Sequence, residues 1–593
     1  MSFQQTCSDI VSTRGHVSDA QRLHQLFDAW WEFGLETSPE TATFVGRPEY
    51  GDRWTDLSPA GFAYRKEGLL TAVHTLGHIT EGHLSAEDQL NYELFKYNLD
   101  LMVESLQFKD ELLQLTPMRG FHESTTHVLA YMPNRNVYDY EQMLRRFSAL
   151  PRHIDETMAL LQQGLAEGIT PPQISMRNIP DVIKHLGASL VDSPWLMAFD
   201  NFPETITPHD QDRLRLAAEK ALEGEVFPAL ERLYHYLRDT YVPGCRTTHG
   251  YRDLPGGEAW YKFITREQTT THLTPAEIHE IGLSEVSRIH REFHKVMLDA
   301  NFDGTFADFS TFLRTDPQFF HTSAEDLLQE YRDICKRADP ELVKMFGRLP
   351  RLPYGVKAVP PHSEKQQTTA YYLRGSLAAG RPGWFFANTY NLASRPRWEM
   401  EALSLHEAVP GHHLQIAIAQ ELEGLPEFRK EGGYNAYVEG WGLYSESLGK
   451  EMGFYRDPWS RYGLLTYEMW RAVRLVLDTG IHALGWTRDQ AIHYFQQNTS
   501  KSEHDIAVEV DRYMVMPGQA LSYKIGQLKI RELRAYATRE LGPRFDIRGF
   551  HDEILGHGAL PLDLLEALIH RWVSEKKNDV HSESTPKSTE ART

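Results

Sequence analysis

Apolar side chains recur at the spacing of an α-helix along most of this chain, and that pattern limits the protein to a mainly helical fold. The first stripe comprises Leu23, Leu26, Phe27, Trp30 and Trp31, which lie three or four residues apart or side by side. Further stretches of this kind lie near 86–113, 139–168, 208–240, 275–298, 324–346, 396–422, 434–452, 460–485, 488–498, 527–540 and 562–576. Since 41% of the residues are hydrophobic, such helices have ample apolar surface for a packed interior.

The length of 593 residues exceeds what one simple hydrophobic core usually spans. We therefore predict a large, bilobed helical unit over residues 19–576, with possible lobes at 19–350 and 351–576. Residues 1–18 are polar and are expected to be flexible. Residues 577–593 are rich in Ser, Thr, Lys and Glu, and they are predicted to form a disordered tail.

Sequence typical of β-strands is scarce and lies directly before the helix predicted at 396–422. The segments Thr368–Leu373 and Gly383–Tyr390 are short, aromatic and close to glycines. They predict a small β-sheet beside that helix. An edge strand at this place can pair with the main chain of an extended peptide. The alternative is a sheet that only caps the helices.

The composition argues against several kinds of partner and location. The net charge is −20, and an acidic surface repels phosphate backbones, so nucleic acid is not an expected partner. The three cysteines, Cys7, Cys245 and Cys335, are odd in number and far apart, which favours a reducing compartment. No run approaches the ~18–20 apolar residues of a membrane span, and Met1–Gly15 lacks the apolar stretch of a signal peptide. We therefore expect a cytoplasmic protein that does not enter membranes.

A His-Glu pair, His406-Glu407, and a His-His pair, His412-His413, lie within eight residues. Imidazole and carboxylate groups both suit Zn²⁺, and a catalytic zinc site uses three protein ligands and leaves one position for water. In a common arrangement, two histidines lie one helical turn apart and the Glu after the first acts as the base. Here the fourth residue after His406 is Pro410, which cannot bind a metal through its side chain, so the simple spacing fails.

Pro410 and Gly411 interrupt the helix predicted for this segment. Pro410 has no N–H to give to the carbonyl of His406, and Gly411 permits backbone angles closed to other residues. Together they predict a kink or bulge of the kind found at functional sites. If the two residues act as an insertion, His412 takes the place of the second ligand. His413 lies about 10 Å along an unbroken helix from His406, so we favour His412 as the ligand and keep His413 as a supporting residue or substrate contact.

The third ligand is expected from the next helix, near Asn435–Glu446. Glu439 and Glu446 share one face of it with Gly442. Gly440 and Gly442 lie within one turn and cost about 1 kcal/mol each, which a close helix or a metal beneath them would justify. We predict that Glu439 completes the coordination of one Zn²⁺ ion and that Glu446 holds a ligand histidine by its second ring nitrogen. The plainer alternative for both is a surface carboxylate.

Glu407 is the expected general base. A metal lowers the pKa of bound water toward ~7, and a carboxylate within reach can take its proton and later pass it to the leaving amine. Tyr523 or Tyr513 can stabilise an oxyanion through a phenolic hydrogen bond, and Arg512 can pair with a substrate carboxylate. His482 is a further candidate. A place in the core is an equally good interpretation for each tyrosine, and a lone histidine is more often structural.

Four motifs together resemble a bacterial family of predicted zinc metallohydrolases that is known as a domain of unknown function. They are His-Glu-x-x-Pro-Gly-His-His-Leu-Gln at 406–415, Glu-Gly-Trp at 439–441, Arg-Leu-Val-Leu-Asp-Thr-Gly-Ile-His at 474–482 and Pro-Gly-Gln-Ala-Leu-Ser-Tyr-Lys at 517–524. The early segments Trp30-Trp31-Glu32, Ser38-Pro39-Glu40 and Asp56-Leu57-Ser58-Pro59 also fit that family. The resemblance therefore covers about residues 19–575.

That family is distantly similar to two kinds of helical zinc peptidase, the thimet-type oligopeptidases and the Taq-type carboxypeptidases. In those relatives, Gly-His-x-Leu directly follows the base Glu. Residues 411–414 match this pattern if 408–410 absorb two extra residues. The resemblance thus implies that His412 and Glu439 bind the metal and that Tyr523 steadies the tetrahedral intermediate.

The residues and the resemblance together predict a zinc-dependent hydrolase that cleaves amide bonds of short peptides, as a carboxypeptidase or an oligopeptidase does. One alternative is a zinc amidohydrolase that acts on a modified amino acid or a small metabolite. Another is a non-catalytic protein that keeps a relic of the site. Iron is a minor alternative as the metal, since two histidines and one carboxylate also suit non-haem Fe(II).

Overall fold

The computed structural model describes residues 1–191, 193–360, 364, 368–377 and 380–583, with side chains as far as 578. Within these residues the fold is mainly α-helical and contains one three-stranded sheet. The prediction of a mainly helical protein with a small sheet is therefore confirmed. Every helix in the described ranges is too short or too polar to cross a lipid bilayer.

The helices fall before and after the sheet in the sequence. The helices before it are α1 (Phe3–Ser12), α2 (Asp19–Thr37), α3 (Pro39–Phe44), α4 (Pro59–Leu76), α5 (Ala86–Ser105), α6 (Phe121–Tyr131), α7 (Val137–Glu167), α8 (Gln173–Met176), α9 (Ile179–Leu186), α10 (Met197–Asp200), α11 (Pro208–Ala221), α12 (Phe227–Tyr236), α13 (Val242–Gly244), α14 (Gly257–Thr269), α15 (Pro275–Asp299), α16 (Phe306–Thr315) and α17 (Ala324–Met345). The helices after it are α18 (Met400–Glu407), α19 (His412–Gln420), α20 (Glu427–Lys430), α21 (Asn435–Leu448), α22 (Pro458–His482), α23 (Arg488–Asn498), α24 (Glu503–Val515), α25 (Ser522–Leu541), α26 (Ile547–Leu555) and α27 (Leu562–Glu583).

The sheet has the strand order β1-β3-β2, so β2 is an edge strand. Its strands are β1 (Tyr354–Ala358), β2 (Ala370–Leu373) and β3 (Gly383–Ala387). The central strand β3 runs parallel to β1 and antiparallel to β2. Both predicted strand segments are present, as β2 and β3. The strand β1 was not predicted because Gly355 weakens its strand propensity. A Cβ at that position would lie 2.7 Å from the Trp384 ring, so the glycine makes room for this indole.

One hydrophobic cluster joins the sheet to the helices that follow it. Phe385 of β3, Leu405 of α18, Leu414 of α19 and Trp441 of α21 all belong to this cluster and are fully buried. A second cluster lies among the earlier helices α6, α7, α9, α11 and α12. The first cluster fixes the short helices α18 and α19 between the sheet and α21, and these elements carry the residues predicted to form the site.

The prediction that residues 1–18 are flexible is wrong for helix α1. Phe3, Cys7 and Ile10 are buried in a cluster with residues of α2 and α4. Ser2 caps the helix by accepting a hydrogen bond from the N–H of Gln5. Three apolar side chains on one face provide enough burial to order a ten-residue helix. The prediction rested on the polar composition of the segment and not on the spacing of these three residues.

The other chain end also differs from the prediction. The tail expected at 577–593 begins inside α27, which continues to Glu583. The Lys577 ammonium pairs with Glu540 of α25 at 2.5 Å, which helps to hold this part of the helix. Residues 584–593 lie outside the described residues. The division into lobes at residue 350 stays a prediction.

Candidate metal centre

The His-Glu pair and the His-His pair lie on two separate helices rather than on one kinked helix. α18 ends at Glu407 and α19 begins at His412. Between them, a Cβ at Gly411 would lie 1.9 Å from the carbonyl oxygen of His406, so only glycine fits this close turn. The break returns His412 to the side of α18 that carries His406. Their ring centroids are 4.7 Å apart and the ring planes are nearly perpendicular, at 87°.

Helix α21 holds this turn through hydrogen bonds to its backbone. The indole Nε1 of Trp441 donates to the carbonyl oxygen of Pro410 at 2.9 Å, and the hydroxyl of Ser445 donates to the same oxygen at 3.3 Å. A Cβ at Gly442 would lie 2.8 Å from the His406 ring and 3.1 Å from the His412 ring. The lack of a side chain at position 442 therefore lets α21 lie directly beneath both imidazoles.

The second glycine of α21 has a different neighbour. A Cβ at Gly440 would lie 2.5 Å from the backbone of Gly526 in α25. This close crossing of α21 and α25 brings Tyr523, in the first turn of α25, beside the histidines. The ring of Tyr523 stacks on that of His406, with centroids 6.5 Å apart and planes at 20°.

Glu439 faces the two imidazoles from α21. Its Oε2 is 3.8 Å from Nε2 of His406 and 3.5 Å from Nε2 of His412. One ligand atom from each residue lies within 4.8 Å of the others, and no other such group of three appears among the described residues. Ligand atoms that bind one tetrahedral Zn²⁺ lie about 3.4 Å apart. The three residues predicted as ligands therefore fit a single zinc ion.

Two carboxylates, the buried Glu446 and the partly exposed Glu439, favour a positive charge at this cluster. The Nδ1 of His406 donates to Oε1 of the fully buried Glu446 at 2.8 Å, which leaves Nε2 to face the cluster. Burial lowers the pKa of His406, but the neighbouring carboxylates of Glu439 and Glu446 outweigh it and raise the pKa to about 9. Burial raises the pKa of Glu439, but the two neighbouring imidazoles hold it well below its usual value. Added positive charge is therefore stabilised here, and a divalent cation supplies such a charge.

We expect Glu446→Gln to weaken zinc binding by about 10- to 100-fold, because the neutral amide orients and polarises His406 less well than the carboxylate does. Competition against a chromophoric chelator measures the affinity. The matched control is Glu451→Gln, which removes a more exposed carboxylate paired with Arg534. Equal affinities in the two variants would contradict the role assigned to Glu446.

The cluster borders a cavity of about 640 Å³. The same cavity is lined by three further residues that the sequence analysis named as site candidates: Glu407, Tyr523 and Arg512. The edge strand β2 lines it through Ala370, Tyr371 and Tyr372, while α6, α8 and α9 contribute residues from the earlier part of the chain. Glu407 is the last residue of α18 and is 8% exposed. The volume suits a short peptide or a small molecule.

His413 does not join the ligand group. The hydroxyl of Tyr372 lies 2.9 Å from its Nδ1, and its Nε2 donates to the carbonyl of Leu352 at 3.0 Å. Both ring nitrogens are thus engaged, and the imidazole fastens α19 to the sheet. Of the two histidines, His412 is the one that lies in the group with His406 and Glu439. His413 approaches the cavity only through Tyr372, which lines it.

His482 and Tyr513 lie in the core and do not line the cavity. The Nδ1 of His482 accepts from the N–H of Tyr251 at 3.2 Å, and its Nε2 donates to the carbonyl of Tyr513 at 2.9 Å. Burial lowers the pKa of His482 to about 3, so the ring is neutral. The Tyr513 hydroxyl donates to Glu509 at 2.7 Å and accepts from Arg474 at 2.9 Å. Both residues therefore serve as structural links.

Three residues on the cavity wall were missed by sequence reasoning. His122 of α6 is 6% exposed, and neither ring nitrogen has a hydrogen-bond partner among the described residues. Burial lowers its pKa to about 4, so a neutral imidazole lines the cavity. Arg471 and Arg474 line it from α22. The two arginines could have been found from the sequence, because α22 carries apolar residues on several faces and an arginine among them is expected to be buried.

These features define a mainly helical protein with a candidate metal centre of two histidines and one glutamate. Residues 39–569 match the family described as "Bacterial protein of unknown function (DUF885)", and the chain therefore belongs to this family. No curated protein matches the chain.

Two solved structures share the fold over nearly the whole chain. A candidate lipoprotein from Colwellia psychrerythraea is 25% identical, with a TM-score of 0.90 over 94% of this chain and 100% of that chain. A candidate lipoprotein of unknown function from Shewanella oneidensis is 16% identical, with a TM-score of 0.68 over 92% of this chain and 99% of that one. The second likeness shows the fold alone, and the predicted cytoplasmic location stays a prediction.

Proposed function

We propose that this protein is a zinc-dependent hydrolase that cleaves amide bonds of short peptides. The observation that carries the proposal is the meeting of His406, His412 and Glu439 at the wall of a peptide-sized cavity, with Glu407 directly after the first ligand. The resemblance of the motifs to thimet-type oligopeptidases and Taq-type carboxypeptidases supports the same assignment.

The residues around the centre have separate tasks in this proposal. A bound Zn²⁺ supplies Lewis acidity, which polarises a carbonyl group and makes water more acidic. Glu407 accepts a proton from the attacking water and passes it to the nitrogen of the leaving amine. Tyr523 donates its phenolic hydrogen bond to the carbonyl oxygen as that oxygen gains negative charge. Glu446 keeps His406 in one orientation throughout.

The edge strand favours a peptide over a small metabolite as the substrate. Among the described residues, β2 pairs with β3 on one side only, and Ala370, Tyr371 and Tyr372 border the cavity. An extended peptide can add to such an edge by main-chain hydrogen bonds, which need no particular side chain. In this arrangement, β2 aligns the substrate backbone and the metal centre selects the bond.

Elemental analysis of the purified protein combined with a peptide-library digest tests the proposal. We expect one zinc per chain, cleavage of short peptides detected by mass spectrometry, loss of cleavage on chelation and recovery on zinc addition. Bound iron, or an intact library in the presence of stoichiometric zinc, would reject the proposal. Cleavage of conjugated amino acids alone would favour the amidohydrolase alternative.

A further inference from the structure

Helix α22 places two buried arginines on the cavity wall. Arg471 and Arg474 are three residues apart and therefore share one face of the helix. They are 5% and 3% exposed, and both line the cavity that contains the metal cluster. Burying a guanidinium group is costly unless its charge and its N–H groups find partners. The contacts of the two arginines therefore show which N–H groups have no acceptor.

The partners of both guanidinium groups are incomplete. Arg474 donates from Nε to the Tyr513 hydroxyl at 2.9 Å and from Nη2 to Glu509 at 3.1 Å. Its Nη1 has no hydrogen-bond partner among the described residues. Arg471 reaches Glu446 only at 3.9 Å and the carbonyl of Tyr467 at 3.5 Å. Its Nε has no partner within the same ranges.

Arg512 of α24 is a third guanidinium at this wall. Its Nη2 donates to the side chain of Gln519 at 2.9 Å, and Nη1 lies 3.6 Å from Glu509. Its Nε also has no hydrogen-bond partner in the described part of the chain. Three guanidinium groups thus face two carboxylates, those of Glu446 and Glu509. Glu446 also accepts from the ring of His406, so its carboxylate is shared between that imidazole and Arg471.

The arginines lie close to the metal centre. The Tyr523 ring stacks on His406, and its centroid is 4.7 Å from Cζ of Arg474 and 5.6 Å from Cζ of Arg471. Tyr523 therefore contacts the His406 ring on one side and approaches both guanidinium groups. Arg471 and His406 also approach the same oxygen of Glu446, at 3.9 Å and 2.8 Å. An extended chain advances by about 3.3–3.6 Å per residue, so a peptide of a few residues spans the distance from His406 to the arginines.

We infer that Arg471 and Arg474, with Arg512 beside them, form a subsite for a carboxylate of the substrate. The substrate class is then a short peptide with a free carboxylate within a few residues of the scissile amide bond. Guanidinium groups bind carboxylates through paired N–H donors, and all three arginines line the cavity that a substrate would enter. The carboxylate belongs either to the peptide C-terminus or to an Asp or Glu side chain. The inference rests on the proposed function for its link to catalysis.

Binding to zinc-loaded Glu407→Gln protein tests the subsite without turnover. Calorimetry compares three blocked tripeptides: N-acetyl-trialanine with a free C-terminus, its C-terminal amide, and an amide with Glu in place of one alanine. We expect the free acid or the Glu peptide to bind about 100-fold more tightly than the neutral amide. The tighter of the two charged peptides identifies the source of the carboxylate. Equal binding of all three would overturn the inference.

Arginine variants in the same Glu407→Gln background separate this subsite from direct binding of a carboxylate to zinc. Arg471→Gln and Arg474→Lys should each reduce the preference for the charged peptide by about 10-fold or more, because both lose guanidinium donors. Arg474→Lys keeps the charge that the buried Glu509 requires. The control is Arg461→Gln on the same helix, whose partner Asp299 lies away from the cavity. A preference unchanged in both arginine variants would overturn the inference.

The two proposals fail in different ways. A carboxylate preference that depends on the arginines, in a protein whose native form cleaves no peptide, would reject the hydrolase and leave the subsite. Cleavage of peptides with no such preference would reject the subsite and leave the hydrolase.

Discussion

Glu407→Gln is expected to lower the rate of peptide cleavage by about 10²- to 10⁴-fold and to leave the zinc content unchanged. Glutamine matches the size of glutamate, but it cannot accept a proton from water at neutral pH. Glu407 is not one of the three ligands that meet in the cluster, so its substitution leaves the coordinating atoms in place. Steady-state rates and elemental analysis of the same preparation measure the two quantities together.

The matched control for Glu407→Gln is Glu423→Gln, which removes a negative charge from an exposed position just beyond α19. It should keep both zinc and activity. Activity unchanged in Glu407→Gln would exclude this residue as the base, and a joint loss of zinc and activity would show that it helps to hold the metal.

The sequence predicted most of the residues grouped at the candidate site because the proposed ligands occur in short motifs. His406, His412 and Glu439 were each inferred from neighbours on their own segment, and Gly442 indicated a close approach from below. The local pattern did not show that the helix breaks completely between Glu407 and His412. That break depends on Trp441 and Ser445, which hold the Pro410 carbonyl from another helix.

The residues that sequence reasoning missed depend on contacts between distant segments. Arg474 acquires its surroundings from Glu509 and Tyr513, which come 35 and 39 residues later in the chain. His122 lies on the cavity wall together with residues of the distant strand β2, and its own neighbours in sequence give no sign of this. The candidate His482 shows the converse case, since it was named from its motif, and tertiary packing places it in the core, as the structural alternative expected.

The largest effect on metal binding is expected from the ligands, and the two adjacent histidines provide a direct comparison. His412→Ala should weaken zinc binding by more than about 100-fold, because it removes a ligand atom and even outer partners of ligands contribute 10- to 100-fold. His413→Ala should keep zinc. It should instead lower the free energy of unfolding by about 1–3 kcal/mol, because the Tyr372 hydroxyl and the Leu352 carbonyl lose their buried partner.

Zinc affinity by chelator competition and stability of the metal-free protein by urea unfolding separate these two signatures. Metal-free protein is required for the second measurement, because bound zinc stabilises the folded state by mass action. His406→Ala and Glu439→Ala should follow His412→Ala in the affinity measurement. The opposite result, with zinc lost in His413→Ala and kept in His412→Ala, would mean that His413 rather than His412 faces Glu439. The position of the Gly411 turn against the His406 carbonyl would then be wrong.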